Sequence, residues 1–138
     1  MISDEQMKVE DHYKNLKESI EVIDECIEKG ILERQRTIGF NASAAGVDLL
    51  EIFLHKHSLI DPGFVIKHEW FNSKRKLEEK FPFNFSRKEE IFSLICKIEE
   101  KRNMLCYGKP QKRELIEEVV EHFNTLKSIF KEEGINEF

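Results

Sequence analysis

Apolar residues recur along this chain in steps of three and four, and that spacing commits most of its length to helices with one buried face. In the first stretch Val9, Tyr13, Leu16, Ile20, Ile23 and Ile27 fall on a single stripe. Asp4 is placed to cap its start, and Gly30 marks a stop. A second helix reads from "ILERQRTIGFNASAAGVDLLEIFLHKH", with Ala42, Ala45, Leu49, Ile52 and Phe53 facing inward. Its small residues let a neighbouring helix approach closely. Asp61-Pro62-Gly63 then signals a turn, and "FVIKHEWFNSKRKLEEKF" predicts a shorter helix carrying Val65, Trp70 and Leu77, which "PFNF" breaks. Ser86 with Glu89 forms a capping-box pair that opens a third long helix through Ile91, Leu94, Ile95, Ile98 and Leu105, ended by Gly108. Pro110 suits the first turn of the last helix, whose stripe is Leu115/Ile116, Val119, Phe123, Leu126 and Phe130, closed by Gly134. The expected fold is all-α: an antiparallel up-and-down four-helix bundle with one additional shorter helix between the second and third long helices. A length of 138 residues, 40% of them apolar, predicts a single domain over 1–138.

No continuous apolar run approaches the roughly 20 residues that span a bilayer, and the start, "MISDEQMKVED", is too acidic for a signal peptide. The expected location is the cytoplasm, with no membrane contact. Cys26, Cys96 and Cys106 are an odd number without a C-x-x-C pair, which predicts reduced, packed thiols. His55 and His57 lie two apart on a helix, so their rings point to different sides. His12, His68 and His122 are scattered along the chain, and no metal or cofactor is expected; surface or capping roles suit these rings.

The net charge of −5 argues against a general nucleic-acid coat, but it is unevenly spread. Residues 1–73 hold 8 basic and 14 acidic side chains, residues 74–113 hold 12 and 6, and residues 114–138 hold 2 and 7. Clustered cations in the middle segment raise the local concentration of phosphates, unless they pair with the acidic flanks of the same chain.

Within that basic segment stands "EEKRNMLCYGKP", where the third long helix meets the fourth. Arg102 falls in the last turns of one helix, while Lys109, Lys112 and Arg113 crowd the start of the next, whose free N–H groups and dipole favour an anion. A guanidinium can hold a phosphate through two hydrogen bonds. In the competing reading Arg102 pairs with Glu99, Asn103 ties down the helix end and Tyr107 packs over it.

This pattern at the end of the third of four long helices resembles the HEPN superfamily, and "RQRTIGFNASAAGVDLLEIFLHKHSLIDPGF" is similar to the second helix and loop of archaeal HEPN-like proteins. The resemblance covers most of the chain in architecture, through a short specific motif. It implies a homodimer in which both motifs face one cleft. Many members of the family are metal-independent ribonucleases of toxin or defence type, some paired with a minimal nucleotidyltransferase antitoxin. The family signature is an arginine, four to six residues, then a histidine, with a polar residue often following the arginine. Arg102 matches the arginine and Asn103 the polar position, but Tyr107 stands where the histidine is expected.

That departure bears on chemistry. Metal-free RNA cleavage uses the 2′-hydroxyl as nucleophile, so the protein must move protons and stabilise charge on the phosphate. Arg102 suits the second task. A phenol, titrating near ~10, is a poor general base, although Tyr107 can orient the ribose, stack on a base or protonate the leaving oxygen. His122 lies about three turns beyond Pro110, too far along the bundle to reach the same phosphate. Two readings remain: a ribonuclease with Arg102, Asn103 and Tyr107 as catalytic residues and Arg102, Lys109, Lys112 and Arg113 on the phosphate, or a non-catalytic dimeric module binding RNA, nucleotide or a protein.

Overall fold

The computed structural model describes residues 4–138, with side chains from Val9 onward. Five α-helices follow in order: α1 (Asp4–Lys29), α2 (Gln35–Lys56), α3 (Lys74–Lys80), α4 (Lys88–Tyr107) and α5 (Arg113–Glu132). Short 3-10 turns cover Leu32–Arg34 and His68–Asn72. Among the described residues there is no strand, so the protein is an all-α helical bundle.

Helix α2 is the centre of the bundle, packed on α1, α4 and α5. Its composition explains that position. Gly39, Ala42, Ser43 and Gly46 present little side-chain bulk, and a Cβ placed on Gly39 would stand 2.7 Å from the Leu105 Cβ. Backbone-close contact with α4 therefore depends on the missing methyl. Residue 39 meets 105, residue 43 meets 99 and residue 46 meets 95, so α2 and α4 run in opposite directions along this seam. Ala42, Ala45, Leu49, Ile52 and Phe53 are buried as their spacing predicts, as are Ile91, Leu94, Ile95, Ile98 and Leu105 of α4 and Ile116, Val119, Phe123, Leu126 and Phe130 of α5.

Several local expectations are corrected. On α1 the inward stripe turns through Cys26, which is buried, and leaves Ile27 exposed. The expected cap Asp4 has its side chain outside the described residues. The stretch from 64 to 81 is not one helix: Ser73 adopts an extended backbone between the turn at His68–Asn72 and α3, and its hydroxyl accepts from the Lys76 N–H as the N-cap of α3. A cap competes with continuation of a helix through the same residue. Trp70 and Phe71 are buried there, whereas Val65 is exposed. Ser86 does not cap α4; its hydroxyl donates to Glu133 at 2.7 Å, and Arg87 takes the cap position with φ of 60°. Pro110 lies in the connection before α5, which begins at Arg113. Although no uninterrupted apolar run occurs, Leu32–Lys56 is long and apolar enough to match a membrane span, and 78% of its most apolar window is buried inside the protein. The core demand on α2 accounts for that apolarity.

Gly30, at φ of 126°, stops α1, and Gly134, at φ of 97°, follows α5. Gly108 ends α4 for a different reason. Its backbone is extended, and a Cβ there would sit 2.5 Å from the Met104 carbonyl oxygen.

Candidate functional site

The joint between α4 and α5 is bound to the start of α2 by one side chain. Gln35 donates from Nε2 to the carbonyls of Leu105 at 3.3 Å and Lys109 at 3.2 Å, while its Oε1 accepts from the Gln111 N–H at 2.7 Å. Cys106 adds a weak Sγ donation to the Arg36 carbonyl at 3.6 Å. Three backbone groups that a loop would leave to water are thus satisfied by α2.

This docking aligns two arginine–aromatic pairs across the seam. The Arg36 guanidinium lies 5.9 Å from the Tyr107 ring centre, and the Arg102 guanidinium lies 5.9 Å from that of Phe40. Arg36 and Phe40 are four apart on α2, hence neighbours on one face. Both rings are open to solvent, Tyr107 at 72% and Phe40 at 53% exposure. From sequence, the phenylalanines read as core or dimer contacts rather than stacking platforms, and Gln35, Arg36 and Phe40 have no assigned role; the four-residue spacing of Arg36 and Phe40 was the available signal.

Arg102 forms no ion pair among the described residues, and its Nε is shielded without a hydrogen-bond partner. The expected alternative, a pair with Glu99, does not form. Glu99 is buried and engaged by Ser43 and His68 instead. Lys109 and Lys112 likewise have no carboxylate within ion-pair reach among the described residues, whereas Arg113 stands 3.7 Å from Glu117 on its own helix. Asn103 is exposed one residue beyond Arg102. Burial pushes the Cys106 thiol up, and the nearby charges of Arg102 and Arg36 draw it back. Lys112 caps α5 without a side-chain hydrogen bond. The joint therefore gathers Arg36, Arg102, Lys109 and Lys112 without neutralising them.

Two of the histidines are not surface groups: His12 is largely buried and His55 fully so. His12 Nδ1 lies 2.7 Å from Asp48 Oδ1, and its Nε2 is in contact with Glu51 Oε2. Burial alone would lower this imidazole, but hydrogen bonds to Asp48 and Glu51 and their negative charges outweigh it and raise the pKa to about 9. Burial raises Asp48 above the ordinary carboxylate range against the pull of His12. His55 is buried beside them, its ring 6.5 Å from that of His12 and near parallel. Glu51 also accepts the Ile66 N–H at 2.8 Å, which fixes the segment leading to His68. His122 stays on α5 beside Glu118, remote from the joint as expected. Among the described residues no cluster of histidine, cysteine and acidic side chains is arranged to hold a metal ion.

A surface groove lies at the other end of α4, between Lys74 and Leu77 on α3 and Arg87 to Cys96. It has no part in the joint. No family model matches the sequence, and neither a curated protein nor a solved structure matches it, so the chemistry rests on the geometry of this chain alone.

Proposed function

We propose that this chain is a HEPN-like RNA-binding protein: its four long helices form an antiparallel up-and-down bundle, 1–138 is one domain, and the joint of α2, α4 and α5 holds RNA phosphate. The observation that carries the reading is Arg102, a guanidinium without a carboxylate, set against Phe40 and next to the Arg36–Tyr107 pair. Cations interleaved with exposed rings suit a single strand, because phosphates take the charges and bases stack on the aromatic faces. Lys109, Lys112 and Arg113 extend the positive surface towards the start of α5. Tyr107 serves as a stacking platform here, and Asn103 as a hydrogen-bonding neighbour.

A homodimer is part of the proposal, because a second copy related by twofold symmetry would double a sparse row of arginines into a cleft. Light scattering should give twice the chain mass of 16.4 kDa. The binding test is fluorescence anisotropy of a single-stranded RNA oligonucleotide across a salt series. Affinity should fall with salt, and Arg36→Ala with Arg102→Ala should flatten the logarithmic slope by about 2, one for each lost phosphate contact. An unchanged slope in that double variant overturns the reading.

A further inference from the structure

Helices α1 and α5 both pack on α2, and the last turns of α1 come alongside the first turns of α5. A furrow of about 290 Å³ is left between them. Ile27 on α1 and Ile31 just past its end form one wall, and Glu117, Val120, Glu121 and Asn124 of α5 form the other. The α5 residues fall at steps of three and four, so they make one row beside the core stripe of Ile116, Val119 and Phe123. A row that borders the core and meets water is ordinarily polar. Here each wall carries an apolar, β-branched side chain: Ile27 is 44% exposed and Val120 half-buried. Leu32, next along the chain from the buried Ile31, is exposed as well. One exposed isoleucine needs no explanation. Two apolar side chains facing each other across a hollow make a seat for a third.

The rim of this seat is acidic. Residues 114–138 hold 7 acidic and 2 basic side chains, and Glu117 and Glu121 bring two of the acids to the furrow. Glu121 has no ion pair among the described residues, and Glu117 has only the exposed Arg113 of its own helix, a kind of pair that contributes little. On the facing helix Asp24 lies one turn before Ile27. Burial lowers the pKa of Lys127 on α5 and Asp24 partly restores it, which places the Asp24 carboxylate on the α5 side of α1. An apolar floor between carboxylates matches a segment with apolar anchors on one face and cations beside them. The same rim repels phosphate, so the furrow is unlike the joint that carries Arg36 and Arg102.

We propose that the furrow between α1 and α5 is a docking site for a basic amphipathic helix of a protein partner. The helix lies along the furrow and sets one large apolar side chain between Ile27 and Val120, over Ile31. Lysines or arginines three and four residues from that anchor reach Glu117 and Glu121 on one side and Asp24 on the other. Burial of the anchor supplies the affinity, and the carboxylates select a cationic partner over an acidic one. Arg36 and Arg102 take no part, so this site and the RNA-binding surface stand or fall separately.

The test titrates the full chain into a labelled helical peptide of about 18 residues, leucine on one face and lysine on the other, and follows fluorescence anisotropy. A scrambled peptide of the same composition keeps the charge and loses the face. The patterned peptide is expected to bind, and the scrambled one to bind about tenfold or more weakly, the worth of one buried anchor. Ile27→Ser, at an exposed position, and the pair Glu117→Lys with Glu121→Lys should each weaken binding by about tenfold or more. Val65→Ser, also at an exposed apolar position, and Glu69→Lys with Glu79→Lys, which makes the same change of net charge elsewhere, should leave it within about twofold. Absence of binding at about 100 μM overturns the inference. So does equal binding of the scrambled peptide, or an equal loss in the control variants, since either reduces the surface to a diffuse acidic field. If light scattering finds an oligomer that dissociates in Ile27→Ser, a second copy covers the furrow and the inference falls. Ile27→Ser against Val65→Ser decides the matter even if the charge reversals fail to fold.

Discussion

Two histidine–carboxylate clusters share helix α2, and they are built for opposite purposes. At its C-terminal half Asp48 and Glu51 engage both ring nitrogens of His12, whose side chain is 16% exposed. Nearer its N-terminal half Ser43 and Glu99 engage only one ring nitrogen of His68 and leave the other open. An imidazole gripped from both sides by carboxylates is a fixed cation, because deprotonation would leave two acids facing a neutral ring. An imidazole gripped from one side keeps a site for proton exchange. The same residue types thus give a clamp between α1 and α2 in one case and a chemically available group in the other. The difference lies in how many ring nitrogens the fold consumes.

Removing the clamp should have the largest effect on stability. His12→Ala leaves Asp48 and Glu51 buried with no cation, and breaking a buried pair from one side costs about 3–5 kcal/mol. Urea unfolding followed by far-UV circular dichroism measures it. A loss below about 1 kcal/mol would show that α1 is held by its apolar stripe alone.

The clamp also carries a pH signature with a defined sign. The folded pKa of His12, about 9, exceeds the unfolded value near ~6.5, so the folded state binds the proton more tightly. Its contribution is complete below about 6.5 and is lost as pH rises through about 9. With solvent screening of the partly exposed ring allowed for, the fall across that window should be on the order of 2 kcal/mol. Unfolding midpoints at pH 6.5, 8 and 9.5 test this, and the decline should vanish in His12→Gln.

One turn before Ser43 on α2 lies Gly39, which permits the tight α2–α4 seam on which the open cluster depends. Gly39→Ala would drive its Cβ against Leu105, at a cost of about 1–3 kcal/mol if the helices spread. The His12 resonances should hold their shifts in an NMR spectrum while those of His68 move, because the distortion is centred near residues 39 and 105. Equal movement of both would mean that the two clusters are one cooperative unit.

What the sequence made legible follows from local physics. The three-and-four spacing located the four long helices and nearly all their inward positions, since an amphipathic stripe is a property of contiguous residues. The basic joint and Arg102 were also legible, because charge density and a helix end can be read along the chain. The clusters were not. His12 and Asp48 are 36 residues apart, His68 and Glu99 31, and no local rule brings them together. A hint was nevertheless present: Ser43, Asp48, Glu51 and His55 put four polar side chains among the buried residues of the central helix, where each needs a buried partner. The failed capping box at Ser86 shows the reverse error, a local rule overridden by a tertiary partner, Glu133.

The smallest effect on stability is expected at the open cluster. In His68→Gln the amide can still donate to Glu99 Oε1, so the buried carboxylate keeps both its Ser43 bond and a replacement donor. Nothing is lost at Nε2, which has no protein partner among the described residues. The change should therefore cost less than about 1 kcal/mol, the scale of one neutral hydrogen bond rearranged at a partly exposed site. Measured beside His12→Gln in the same urea titration, it separates the two roles directly: the clamp variant should unfold at markedly lower urea and the open-site variant almost with the wild type. If His68→Gln were the more destabilising of the two, the ring would be acting as a structural cation over Glu99, and the availability of Nε2 would be incidental to a second clamp.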